Sequence, residues 1–251
     1  MVRGLYTAAA GMMAQQARVD VIANNLANVD TPGYKRDEAA IRSFPEMMLS
    51  RLDRSTTVPI GRLVTGSVID EVRTSERQGP LRETGNSFDL SLQGNAFFAV
   101  RAPGGEVCYT RQGSFILDGN SRLITTTGHV VLGVTGGRLE EIYLPGGNLQ
   151  VDHDGTLTGA VNAQGEVVER LALAGKPLGQ VWRKEGDSLY SGAAGEAQDF
   201  EVRQGYLEGS NVNPLSEMVA MMSAVRAYEA SQKVIQATDS TLEKANEVGR
   251  I

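Results

Sequence analysis

The sequence predicts an α+β protein in which N- and C-terminal α-helices pair as a coiled coil around a central, mainly antiparallel β domain. Three observations predict it. Apolar residues recur at seven-residue spacing at both ends of the chain. Of 29 glycines, 25 fall between Gly61 and Gly209. Within that stretch, short apolar or β-branched runs alternate with turn pairs, and no helical segment intervenes.

The first element runs from Gly4 to Asn28. Leu5, Met12, Val19 and Leu26 repeat every seven residues, and Ala8, Gln15, Ile22 and Val29 follow three behind each. This is an a/d seam with one polar intrusion. After Arg3 the helix carries only Arg18 and Asp20 as charges, whereas a solitary surface helix normally has a charged outer face. More than one of its faces is therefore expected to meet protein. The helix should stop at Asn28-Val29-Asp30-Thr31-Pro32-Gly33.

Residues 35–60 read as a linker in which Ile41–Leu52 offers a short helix and Ser55-Thr56-Thr57-Val58-Pro59 a loop or edge. Residues 61–209 read as β. Alternation is visible in Phe88-Asp89-Leu90-Ser91-Leu92, with further runs at 96–100, 107–110, 123–127, 130–134, 142–144, 167–173 and 200–202. Gly104-Gly105, Asp118-Gly119, Gly136-Gly137, Gly146-Gly147, Asp154-Gly155 and Gln164-Gly165 punctuate them as turns. The last element opens at Asn213-Pro214, an N-cap followed by proline at the first helical position, and has no Gly or Pro from Leu215 to Val248. Met221, Tyr228, Ile235 and Leu242 repeat every seven residues, and the small Ala224, Ser231, Thr238 and Ala245 line the second stripe. The expected division is 1–34 assembly helix and motif, 35–60 linker, 61–209 β domain and 210–251 assembly helix.

Composition narrows the function. The 251 residues carry 24 Lys+Arg against 30 Asp+Glu, a net charge of -6, which argues against sequence-independent binding of nucleic acid or anionic lipid. The single Cys108 excludes an intrachain disulfide and a Cys-rich zinc site, and two histidines leave little for a metal or acid–base centre. The start has an A-x-A-like triplet at Ala8-Ala9-Ala10, but Gly4, Tyr6 and Thr7 break the apolar run before it and the helical pattern continues past it. No stretch approaches a membrane span. These features alone read as a soluble cytoplasmic chain.

Chemical sites are scarce. A calcium loop opening at Asp152 would need Gly at its sixth position and Glu at its twelfth, where Leu157 and Ala163 stand, so Asp152-His153-Asp154-Gly155 reads as a turn. His129 follows Gly128 in a turn, and Cys108 lies in a strand with no histidine near it in sequence. No GxSxG, P-loop or GxGxxG occurs, and Glu140-Glu141 has no specificity. Met218, Met221 and Met222 fit either an adaptable binding surface or a helix seam. No catalytic, cofactor or metal residue is expected.

Four stretches resemble the bacterial flagellar rod and hook proteins. Residues 23–35, Ala-Asn-Asn-Leu-Ala-Asn-Val-Asp-Thr-Pro-Gly-Tyr-Lys, are similar to the family's N-terminal motif. Residues 84–100 (TGNSFDLSLQGNAFFAV) resemble its central motif, apart from Ser91 and Asn95-Ala96, where the family commonly has Ala and Gly-Phe. Tyr109-Thr110-Arg111-Gln112-Gly113-Ser114-Phe115 continues it. Residues 204–213 (QGYLEGSNVN) lead into Glu217-Met218 and Arg226-Ala227-Tyr228-Glu229. The stretches run in family order and nearly cover the chain.

The resemblance implies a structural protein of the flagellar basal body, exported without a cleaved signal through the flagellar export apparatus. It implies helical assembly, with itself and with other rod and hook proteins, into the rod that transmits torque from motor to hook. Its terminal segments are implied to order on assembly, with no nucleic-acid partner and no membrane insertion. The expected interface is Leu5, Met12, Val19, Ile22, Asn24, Asn25, Leu26 and Asn28 with Met221, Val225, Tyr228, Ile235 and Leu242. Length leaves no room for the hook protein's inserted outer domain, and residues 44–70 lean towards the proximal rod type over the distal rod or hook type. Readings of another class are a peptidoglycan-hydrolysing or cell-wall-binding β module. For the latter, Trp182 beside Arg183 and Lys184 is the one candidate sugar-stacking aromatic.

Overall fold

The computed structural model describes residues 2–43, 46–52, 57–64, 66–177 and 179–249. The chain divides into two compact units. The first comprises residues 1–27, 36–75 and 213–251, and the second residues 28–35 and 76–212.

The first unit holds the two long helices expected from the terminal seams. Helix α1 spans Val2–Ala27 and α2 spans Pro214–Val248. At 1.5 Å per residue they are about 39 and about 52 Å long. The Asn213 side chain accepts from Leu215 N at 3.0 Å and Ser216 N at 3.2 Å, which satisfies the first orphan amides of α2 as an N-cap should. The two helices pack on each other. A Cβ placed on Gly11 would lie 3.7 Å from Ser231 Oγ, and Asn25 Nδ2 lies 3.3 Å from Glu217 Oε2. Moving 14 residues forward on α1 thus moves 14 back on α2, so the pair is antiparallel. No helix of the described residues is long and apolar enough to cross a membrane.

From Asp37 to Ile60 the described residues form strands rather than the expected linker with a short helix over Ile41–Leu52, and Ser55 and Thr56 of the expected loop lie outside the described residues. Strands β1 (Asp37–Ser43) and β2 (Glu46–Leu52) run along one side of a ribbon, and β3 (Thr57–Val64) and β4 (Ser67–Thr74) return along the other. β1 pairs antiparallel with β4, and β2 with β3. The spacing of Ile41, Met48, Leu49 and Leu52 suits a helix, but the β-branched run over 57–72 supplies a strand partner that local periodicity cannot show. Pro59 falls in β3, where both strands are edges and a missing N–H is tolerated. Residues 61–74 consequently group with the helices rather than with the β domain, and β1 and β4 pack on α1.

The second unit is built on an antiparallel sheet whose central path runs 183–186, 189–191, 107–110, 96–101, 130–135, 123–125, 115–117. Strand 96–101 is apolar without alternation because both its faces are covered. Phe98 and Val100 point into one cluster with Leu90, Phe115 and Leu123, while Phe97 and Ala99 point into another with Tyr109, Trp182 and Tyr190. Strands 201–204 and 206–208 pair with 90–93 and 81–83, which joins the C-side of the unit to its beginning. The expected strand at 142–144 is reduced to bridges from Tyr143 to Arg122 and Val161.

Cys108 lies in the first cluster, and burial first, then the charges of Glu185 and Glu106, push its thiol above the ordinary 9.0. A proton held more tightly in the folded than the unfolded chain stabilises below the unfolded value and is lost as pH rises through the folded one. Alkylation at pH 8 should therefore track unfolding of this unit. Iodoacetamide uptake by native protein at the rate seen in denaturant would contradict it.

Candidate assembly site

The terminal helices bring most of the expected interface residues together, but within one chain. Leu5, Met12, Val19 and Leu26 on α1 are half-buried and Ile22 is buried; Met221, Tyr228, Ile235 and Leu242 on α2 are half-buried. Ala224 is buried on the seam between them, as a small residue allows when two helices approach closely.

One end of the pair is closed by polar groups. Asn25 is fully buried; its Nδ2 donates to Asp37 O at 2.8 Å and its Oδ1 accepts from Asp37 N at 2.9 Å, so its amide pairs the backbone as a strand neighbour would. Glu217, 1% exposed, accepts from Asn25 Nδ2 and, at 2.7 Å, from Arg36 Nε. A buried carboxylate is tolerable only with such partners. Asn24 is exposed beside it, and Asn28 lies half-buried in the second unit.

The opposite face of α2 is apolar as well. Leu215, Met218, Val219, Met222 and Val225 are 71, 48, 54, 54 and 39% exposed. At 100° per residue they cluster on the side away from the seam of Glu217, Met221, Ala224 and Tyr228. Of the expected interface residues on α2, Val225 alone belongs to this outer stripe. The ribbon adds exposed Ile41, Met48, Val68 and Val72.

The second unit contains the site where the N-terminal motif ends. Lys35 Nζ meets Glu208 Oε1 at 2.6 Å, Arg111 Nη1 meets Glu208 Oε2 at 3.0 Å, and all three residues are buried. Gly79 N donates to Glu208 Oε1 at 2.9 Å, Lys35 Nζ to Arg77 O at 2.9 Å, and Arg111 Nη1 to Leu92 O at 2.9 Å. Burial holds the Lys35 ammonium and the Arg111 guanidinium below their ordinary values, against the opposing pull of Glu208. Gly33 N donates to Glu208 O at 2.8 Å. Gly33 has φ +69°, and a Cβ there would stand 2.4 Å from the Arg111 carbonyl carbon, so glycine is required for the close approach. The chain entering the unit and the chain leaving it are thereby pinned side by side. The sequence does not mark Arg111 and Glu208 as a pair; its only signal is a single charge inside each of the motifs 109–115 and 204–213.

Trp182 and residues 152–155 take structural roles. Trp182 is buried, stacks on Tyr109 with centroids 4.7 Å apart and donates from Nε1 to Ala193 O at 2.9 Å, so it presents no face to a sugar. Gly155 N donates to Asp152 O at 2.9 Å, which makes 152–155 a turn. Among the described residues no cluster of His, Cys, Asp or Glu could hold a metal ion.

Three family descriptions match the chain in order: "Flagella basal body rod protein" over residues 5–35, "Flagellar hook protein FlgE/F/G D1 domain" over 91–169, and "Flagellar basal body rod FlgEFG protein C-terminal" over 203–248. The first and last matches include Lys35 and Glu208. The flagellar basal-body rod protein FlgG of Borreliella burgdorferi is 33% identical over the whole of both chains. The flagellar hook-basal body complex protein FlhO of Bacillus subtilis is 34% identical, again over the whole of both. The rod protein FlgF of Caulobacter vibrioides is 33% identical over 95% of this chain and 94% of its own. Similarity of this extent, with the motif residues placed at structural joints, shows that the chain belongs to the flagellar basal-body rod protein family.

Proposed function

We propose that this structural rod subunit joins further copies of itself and other axial proteins through the outer apolar stripe of α2, with α1 and the ribbon completing the contact. The rod's general role is to transmit torque, which asks for many weakly polar, closely packed contacts rather than a reactive centre. The observation that carries the reading is the stripe Leu215, Met218, Val219, Met222 and Val225, exposed on the side of α2 away from the seam that α1 covers. A contiguous apolar face of this kind on an otherwise acidic chain marks a protein contact. The ribbon supports it, since a two-stranded hairpin is marginal in water without a covering surface. Head-to-tail contacts between unlike surfaces produce open helical arrays.

In this reading the seam residues Leu5, Met12, Val19, Ile22, Leu26, Met221, Tyr228, Ile235 and Leu242 hold the two helices as one assembly element, and Asn25 with Glu217 closes its end. Residues 1–34 and 210–251 are the assembly segments, the subunit is exported without a cleaved signal, and it works without catalysis.

Ile235→Asp tests it. A charge in the half-buried seam should separate the helices at a cost of about 2–4 kcal/mol. Incorporation into basal bodies should then be lost while the unfolding transition of the second unit, followed by the fluorescence of its single Trp182, stays unchanged. Normal incorporation of this variant would count against the proposal.

A further inference from the structure

The Arg111 guanidinium is 3% exposed, yet the fold engages only two of its three nitrogens. Nη1 donates to Leu92 O and Glu208 Oε2, and Nη2 donates to Gly94 O. Nε is buried and has no hydrogen-bond partner among the described residues. Nε and Nη2, which keeps a second hydrogen, share the guanidinium edge that grips a carboxylate through two parallel N–H···O bonds. Arg122 Nε is likewise without a partner, but that side chain lies half-buried at the surface between the carboxylates of Asp118 and Glu141. Arg111 instead lines a cleft within the second unit.

The cleft has a volume of about 260 Å³. One water takes about 30 Å³ of liquid, and pockets for drug-sized ligands begin near 300 Å³, so the space suits a small group. Arg111 and Phe97, both buried, form its floor, with Arg111 Cζ 5.0 Å from the centre of the Phe97 ring. Asn95 and Gln180 are exposed at its rim, where Lys176 pairs with Glu76. Lys35, Arg111 and Lys176 stand against Glu208 and Glu76, which leaves one positive charge uncompensated in this ion-paired group. We propose that the cleft binds a single carboxylate on a short aliphatic stem, as a glutamate side chain or a small fatty acid carries it. The carboxylate takes the open edge of Arg111, the stem lies on Phe97, and the Asn95 and Gln180 amides offer donors at the mouth. One negative charge completes the balance, whereas a dianion exceeds it and meets Glu76. A neutral amide of the same shape forgoes the charge-assisted bonds. The site rests neither on the terminal helices nor on the assembly reading above.

Trp182 packs edge-on against Phe97 with centroids 4.9 Å apart, so its fluorescence reports what occupies the cleft. The full-length chain is titrated at constant ionic strength with butyrate, butyramide and inorganic phosphate. Butyrate should give a saturable change at millimolar concentration, with butyramide and phosphate at least about tenfold weaker. Arg111 variants would also disturb Glu208, so Gln180→Glu carries the test. It sets a competing anion at the exposed rim and should weaken butyrate about tenfold while the unfolding midpoint stays unchanged. N-acetylglutamate methylamide binding as well as butyrate assigns the site to a protein side chain; binding of butyrate alone assigns it to a free acid. No saturable change with butyrate up to about 100 mM overturns the proposal. So does equal binding of butyramide or phosphate, or undiminished binding by Gln180→Glu.

Discussion

Glu208→Gln should destabilise the unit of residues 28–35 and 76–212 by about 3–5 kcal/mol, because it removes the one anion shared by two buried cations. Lys35 and Arg111 would remain buried and facing each other, offset only by the Arg77 and Leu92 carbonyls and the more distant Glu76. The Gly79 amide and the Lys35 ammonium would also lose their shared acceptor, Oε1, or keep it only as a neutral amide oxygen. Denaturant unfolding followed by Trp182 fluorescence reads this directly, since that residue belongs to the same unit. Lys35→Met/Glu208→Gln should be less damaging than the sum of its single changes, because residues in one ion network do not add. A loss below about 1 kcal/mol for Glu208→Gln, the size typical of an exposed pair, would mean that the cluster is not dry.

Gly113→Ala should be comparably severe for a different reason. A Cβ on Gly113 would stand 1.6 Å from Leu90 O and 2.8 Å from its carbonyl carbon, both backbone atoms that cannot rotate away. Leu90 N donates to Gly113 O at 2.9 Å, and Leu90 itself is fully buried in the first cluster. The two segments must part to admit the methyl, which costs a ladder bond and core packing together, about 3–5 kcal/mol. Gly104→Ala provides the control: nothing lies within 4 Å of a Cβ there, and the change should stay within about 0.5 kcal/mol. Equal stability of the two variants would show that the close approach at Gly113 relaxes freely.

Much of the architecture is legible in the residues. The heptads through Leu5–Leu26 and Met221–Leu242 announce both helices, Asn213-Pro214 announces the second one's start, and the crowding of 25 of 29 glycines into 61–209 announces a hairpin-rich region. The ribbon over 37–74 was not legible, because strand pairing joins residues far apart and Met47–Leu52 alone suits a helix equally well. The buried ions escaped for a similar reason. Lys35, Arg111 and Glu208 lie far apart in sequence, and only the fold makes them neighbours. The outer stripe was visible in principle, at positions 215, 218, 222 and 225. The residues carry part of it, Met218 and Met222 as an adaptable surface and Val225 as an interface residue, while the heptad on α2 marks only the seam.

That stripe carries the central claim, and Leu215→Asp/Val219→Asp measures it most directly. Both positions are exposed, and acidic residues near the start of a helix suit its dipole, so the subunit should fold with unchanged helical content and unchanged Trp182 fluorescence. The measurement is the amount of this full-length variant in purified basal bodies of cells that make no other copy. The account predicts its absence and loss of motility; incorporation at the unsubstituted level would contradict it.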